Sequence, residues 1–440
     1  MKLENPLQVK HFRKRRARLA KELGDGIMVL GTAPERSRNA DSHYEYRWDS
    51  GFYYLTGFRE PEAVLVMAVS GGDARTILFC REKNLEREIW DGFRHGPELA
   101  REHFGFDEAH PYGELDQRMP ALLSNQDVLH TPVGSDASWD LRVAGWLNAV
   151  RALVRTGVAA PTQIRDVRAQ VNELRLVKDD YELAVMRRAG QISSAAHVRA
   201  MKMAQPGMRE YQLEAELIHE FCSNGARQPA YGSIVGAGAN ACVLHYRENN
   251  AELKKGDLVL IDAGCELDSY AADITRTFPV AARFSAAQRD VYEVVLEAQE
   301  ASIREVKPGA DFVNYHDVAT RVLVQGLIDL KLCKGSVDAV IESGTYKQFY
   351  MHRAGHWLGL DVHDAGDYMQ KGKWRKLKPG MVLTVEPGLY IRPANNVPKA
   401  FWNIGVRIED DVLVTAKGRE ILSADCPKRV KDVEDTVLDR

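Results

Sequence analysis

Four carboxylates and a group of histidines are the residues of this chain best suited to chemistry. Asp262 closes the apolar run Leu258-Val259-Leu260-Ile261, and Asp273 opens Ile274-Thr275-Arg276-Thr277-Phe278. If those runs pair as a hairpin, both carboxylates reach the same side of neighbouring strands. Glu386 ends Val382-Leu383-Thr384-Val385, while Glu409 lies in Val406-Arg407-Ile408-Glu409-Asp410-Asp411. Alternation there sets Val406 and Ile408 against Arg407, Glu409 and Asp411. Taken singly, each acid reads equally well as a turn cap or as part of a solvated edge. His352, His356 and His363 follow one another closely beside Asp361 and Asp364, and His245 stands earlier in Leu244-His245-Tyr246. The first two share the spacing of the zinc helix H-E-x-x-H, but Arg353 stands where that motif needs Glu. Gly355 and Gly359 also weaken a helix, so a strand or extended loop is expected.

Considered together, these groups imply a cation. Carboxylates gathered in a dry pocket repel one another and resist joint ionisation. Two divalent metal ions would balance four such charges and activate a water for attack on a carbonyl. A ligand set rich in oxygen with a single histidine favours Mn2+, with Co2+, Fe2+ and Zn2+ as competitors. One rival motif is weaker: Gly236-Ala237-Gly238-Ala239-Asn240-Ala241 matches a dinucleotide fingerprint, but no helix pattern follows to face a pyrophosphate.

The elements that must position these groups divide at about residue 175. Residues 1–175 read as a smaller mixed α/β domain with strand-like runs at Ile27-Met28-Val29-Leu30, Ala63 to Met67 and Thr76 to Phe79, and a helical pattern from Ser135 to Leu153. Residues 176–440 open with a long helix between Asp179-Asp180 and Pro206-Gly207. Further helices are expected at about 210–224, 285–306 and 315–329, among strands that do not alternate regularly with them. The fold class is therefore α+β, with a largely antiparallel sheet in the second domain. Near the start, Arg13-Lys14-Arg15-Arg16 reads as a solvated helix face.

In order, Ile261-Asp262-Ala263-Gly264, Asp273-Ile274-Thr275-Arg276-Thr277, His352-x-x-x-His356-x-Leu358-Gly359-Leu360-Asp361-Val362-His363-Asp364, Thr384-Val385-Glu386-Pro387-Gly388 and Arg407-Ile408-Glu409-Asp410 resemble the successive motifs of the pita-bread metallopeptidases. The likeness is to their aminopeptidase P branch, the Xaa-Pro aminopeptidases, and extends to the stretches Asn39-Ala40-Asp41-Ser42 and Tyr53-Tyr54-Leu55-Thr56-Gly57-Phe58. The resemblance implies a C-terminal pita-bread catalytic domain holding a dinuclear centre, usually Mn2+, whose bridging hydroxide is the nucleophile. Asp262 would chelate one metal, Asp273 and Glu409 would bridge, and His356 with Glu386 would complete the second. His245, His352, His363, Glu386 and Arg407 are implied as catalytic, the non-ligand histidines as donors to substrate and Arg407 as a support paired with Asp41. The implied substrates are peptides with proline at position two, and a homotetramer is implied as well.

Competing readings differ in substrate or in class. Prolidase shares the ligand pattern but takes Xaa-Pro dipeptides, whereas methionine aminopeptidase lacks so long an N-terminal domain. A non-catalytic peptide-binding relative, or a metal-free creatinase-like one, would typically have lost ligand residues. Composition narrows the partners. With Lys+Arg 59 against Asp+Glu 62 in 440 residues, the net charge of -3 argues against nucleic-acid binding. No long apolar stretch or secretory start is present, so a cytoplasmic protein without a membrane partner is expected. Six scattered cysteines, without a C-x-x-C pair, read as reduced thiols. Trp90 reads as either core or interface.

Overall fold

The computed structural model describes residues 6–439, so Met1 to Asn5 of the polar start lie outside the described residues. The chain forms two compact units, Met1–Arg175 and Leu176–Arg440. In the first, six strands form one sheet: β1 (Gly26–Gly31), β2 (Val64–Ser70), β3 (Asp73–Cys80), β4 (Glu108–Pro111), β5 (Val128–His130) and β6 (Gln163–Arg165), in the order β4-β3-β2-β1-β5-β6. The central three pair antiparallel and the outer joins are parallel. Gly71 and Gly72, both at positive φ, let β2 turn into β3 within two residues. Alternation sends Ile27, Val29, Val64, Val66, Ile77 and Phe79 into one core with Met119, Trp146 and Leu147 of the helices Leu115–Leu123 and Ala137–Arg151.

Two expectations for this unit need correction. The basic run of helix Pro6–Leu23 is not a solvated face throughout: Arg13 and Lys14 are exposed, but Arg15 and Arg16 are buried. Arg16 donates to the carbonyls of Leu55, Phe104 and Gly105 at 2.9, 3.1 and 2.8 Å, at the ends of helices Ser50–Thr56 and Gly96–Phe104. A guanidinium tolerates burial where carbonyl oxygens meet its donors, and helix C-termini favour a cation. Trp90 is 83% exposed, which removes its core reading, because the short helix Leu85–Asp91 buries no residue.

The second unit opens on helix Asp180–Met203, started by a capping box in which Asp179 and Glu182 exchange hydrogen bonds with each other's backbone. Helices Glu210–Ser223, Ala286–Glu305 and Asn314–Asp329 follow. A three-stranded antiparallel sheet runs β7 (Ile234–Ala237), β8 (Leu258–Asp262), β9 (Thr275–Pro279). Strands β10 (Val382–Val385), β11 (Gly388–Ile391), β12 (Ile404–Arg407), β13 (Asp410–Thr415) and β14 (Gly418–Ile421) form a sheet β10-β13-β14 and a pair β11-β12.

Alternation assigns the faces of these strands. Val259, Ile261, Phe278, Ile404 and Val406 join the core with the helices, through Ile192, Leu217, Val295 and Leu323 among others. Each such buried apolar side chain contributes about 1.5–3 kcal/mol. Asp262, Thr275, Thr277 and Arg407 therefore face the other way. Among the described residues no helix is long and apolar enough to cross a membrane. All six cysteines are free, and Cys222 alone is exposed.

Candidate metal centre

The β8–β9 pair sets the first two carboxylates. Asp262 is opposite Thr275 in the register, and the residues between leave as a short excursion through Cys265–Leu267 and Tyr270–Ala271 before returning at Asp273. The hairpin expectation holds for the paired strands, with this excursion as its tip. Gly264 permits the return, because a Cβ there would lie 1.8 Å from the Ala272 carbonyl oxygen. Tyr231 then ties the two acids together, its hydroxyl lying 2.6 Å from Asp262 Oδ1 and 2.5 Å from Asp273 Oδ1.

Glu409 arrives between strands rather than on one. It separates β12 from β13, where its amide donates to Thr275 O at 3.1 Å and its carboxylate accepts from the Thr275 hydroxyl at 2.6 Å. Arg407, Glu409 and Asp411 are all buried, so the solvated-edge reading of this run is overturned. Arg407 donates to Asp262 at 2.6 Å, to the Tyr390 hydroxyl at 2.9 Å and to the Thr275 hydroxyl at 3.0 Å. Within this unit its carboxylate partner is thus Asp262.

The histidine segment is the irregular loop that was expected, pinned to β10 by the bridge between Trp357 and Leu383 and by backbone hydrogen bonds from Leu358 to Val382 O (3.1 Å) and from Thr384 to His356 O (2.9 Å). A buried ion pair fastens it: Lys178 Nζ lies 2.9 Å from Asp364 Oδ2, both side chains 1% exposed. His356 Nδ1 lies 2.9 Å from the Trp357 carbonyl, which can only accept, so the ring carries its proton there and turns Nε2 inward. That Nε2 is 3.4 Å from Asp273 and 3.7 Å from Glu386. His352 follows the same logic. Its Nδ1 donates to Arg353 O at 2.7 Å, and its Nε2 meets the Tyr390 hydroxyl at 2.9 Å, so both nitrogens are engaged within the protein. His363 packs edge-on against His356 with ring centroids 4.2 Å apart.

The four carboxylates, Tyr231, Arg407 and the three histidines, with His245, line one cavity of about 810 Å3. Among the described residues one group presents donors close enough for a metal ion: Asp273, His356 and Glu409, with ligand atoms all within 4.8 Å of one another. Glu386 and Asp262 flank it through His356 and Tyr231. The electrostatics fit a cation. Burial first, then repulsion from the neighbouring carboxylates, pushes Asp273 up and Glu409 well up, while burial lifts Glu386 up to about 7 against the pull of His356 and Arg407. Burial alone would lower His356, yet Asp273 and Glu386 overcome it and push it up to about 9. His352 moves the other way, down to about 4 through burial and the Arg407 charge, and so stays neutral. An oxygen-rich acidic pocket of this kind matches a divalent ion.

The sequence reading missed Tyr231, Tyr390 and the Lys178–Asp364 pair. Tyr390 carried a signal, since it sits on the strand directly after Glu386; Tyr231 and Lys178 carried none. The glycine-rich run serves packing rather than phosphate, as a Cβ at Gly236 would meet Asn240 at 2.9 Å.

A donor set for a divalent ion, held in a peptide-sized cavity on a pita-bread scaffold, defines the catalytic unit of a metal-dependent peptidase. The chain belongs to metallopeptidase family M24, whose family model matches residues 184–416, and the aminopeptidase P N-terminal domain matches residues 12–130. It is 47% identical over 425 residues to the Xaa-Pro aminopeptidase of Escherichia coli (strain K12), covering 96% of each chain. Among solved structures it resembles Pseudomonas aeruginosa aminopeptidase PepP, with a TM-score of 0.96, 47% identity and coverage of 99% of this chain and 98% of that one. It also resembles zinc-substituted E. coli aminopeptidase P in complex with product, with a TM-score of 0.96, 46% identity and 98% of each chain covered.

Proposed function

We propose that this chain is a Xaa-Pro aminopeptidase, a metal-dependent exopeptidase that hydrolyses the bond between an N-terminal residue and a proline at position two. The convergence of Asp273, His356 and Glu409 in the cavity carries the reading. Asp262, Asp273, His356, Glu386 and Glu409 are assigned to two divalent ions, Mn2+ by the oxygen-rich donor set. Bound there, such ions supply a nucleophilic hydroxide at neutral pH and a Lewis acid for the scissile carbonyl.

The chain's own residues do the rest. The acidic floor receives the free α-amino group, which restricts cleavage to the first peptide bond. His245 and His363, on the cavity wall, donate to the carbonyl oxygen as its charge develops. Glu386 takes the proton of the attacking water and returns it to the proline nitrogen as that bond breaks. His352 holds the Tyr390 hydroxyl, which with Arg407 fixes Asp262. An Xaa-Pro bond has no N–H, so the site must read the pyrrolidine ring by shape. A homotetramer in the cytoplasm completes the reading.

Incubation of metal-reconstituted enzyme with an Xaa-Pro-Xaa tripeptide and with an Xaa-Pro dipeptide tests it. Release of the first residue from the tripeptide is expected; cleavage of dipeptides alone would make the protein a prolidase. Chelation should abolish the activity and Mn2+ should restore it.

A further inference from the structure

The cavity that holds the acidic floor also has a cationic rim, and that polarity assigns a direction to the substrate. Arg353 is exposed, lines the cavity, and lays its guanidinium carbon 5.2 Å from the centroid of the Trp374 ring. Trp374 belongs to the small hairpin of Met369–Gln370 and Lys373–Trp374, whose Met369 also lines the cavity. Arg353 forms no ion pair with any described residue, although acids are plentiful in this unit. A guanidinium stacked on an indole keeps its N–H edge free for a planar anion and is pre-organised for a two-pronged contact. Arg247, likewise exposed, adds a second guanidinium to the lining.

We infer that Arg353 is a specificity-determining residue that receives the carboxylate on the leaving side of a short peptide. This rests on the aminopeptidase reading above, which fixes the amino end at the floor and leaves the residues after proline to run towards the rim. Distance permits it. Arg353 is three residues from His356, so their Cα atoms are separated by at most about 11 Å of extended chain. The C-terminal carboxylate of a tripeptide lies about 7 Å beyond the scissile bond on the same scale. The chemistry recognised is a carboxylate, the free C-terminus of a tripeptide.

The test compares kcat/KM for one Xaa-Pro-Xaa tripeptide as the free acid and as the C-terminal amide, in wild type and in Arg353→Met, with metal content matched. Wild type should prefer the free acid by about 5- to 10-fold, mainly through KM, with the preference shrinking at high salt. In Arg353→Met the ratio should collapse towards one, and Arg353→Lys should retain only part of it. Trp374→Leu, which leaves the charge and removes the brace, should also lower the ratio. An equal rate for acid and amide in wild type, or a ratio unchanged by Arg353→Met, overturns the assignment while leaving the aminopeptidase reading intact. Failure of wild type to cleave either tripeptide after Mn2+ addition overturns both.

Discussion

At the scale of single residues, the site depends on side chains that touch ligands rather than metals. Tyr231 is the sharpest case, because one hydroxyl spans Asp262 and Asp273. Groups that orient ligands typically govern metal affinity by about 10- to 100-fold. Tyr231→Phe should weaken metal binding by that factor, read by titrating Mn2+ into chelated enzyme, with activity recovering at high metal. His363 should behave oppositely. His363→Ala should lower kcat by about 100- to 1,000-fold, the cost of one donor to a developing oxyanion, with metal content unchanged by elemental analysis. Loss of the metal in that variant would make the histidine a ligand. The four acids and His356 were legible in the sequence because their types and order carry chemistry. Tyr231 was not, because a lone tyrosine between Ala230 and Gly232 has no pattern to set it apart.

Elements decide whether those residues meet. Apolar patterning was readable where it is strong, which is why β8 and β9 could be placed as apolar runs bounded by Gly, Pro or Asp. It failed for Arg407, Glu409 and Asp411, where charge suggested water and the structure buries all three against partners on other strands. The same failure explains Arg16: buried polarity is a tertiary property, visible only once the carbonyls that satisfy it are in place. The loop bearing His363 hangs on Lys178 and Asp364. Removing one member of a buried ion pair costs about 3–5 kcal/mol, more than replacing both with apolar residues. Lys178→Met should thus destabilise the protein more than Lys178→Met with Asp364→Leu, as measured by denaturant unfolding. The C-terminal helix Val430–Leu438 supplies a pH test. Glu434 accepts from Arg283 at 2.6 Å and Arg289 at 2.8 Å, and against the effect of burial these hydrogen bonds hold its carboxyl below the usual range. A depressed folded-state value means that the stabilisation is present above the unfolded value of about 4.3 and disappears as pH falls through the folded one. Glu434→Gln should cost about 1 kcal/mol at neutral pH, since both arginines are half exposed, and nothing measurable near pH 2.

For the whole molecule, two units with separate cores imply two responses to metal. Calorimetry of chelated and reconstituted protein should show the transition of residues 176–440 moving with Mn2+, by about 2.7 kcal/mol of added stability at a hundredfold excess over Kd. The transition of residues 1–175 should stay where it was; movement of both together would show that the units unfold as one. The thiols offer a finer view of the same coupling. Since Cys222 is exposed and the other five are buried, a maleimide dye should attach at one position in the native protein. Slower modification elsewhere then becomes a clock for local opening. Cys265 lies on the excursion between the two aspartates, so its labelling rate reports how often that excursion breathes, and a tightly held cation should slow it.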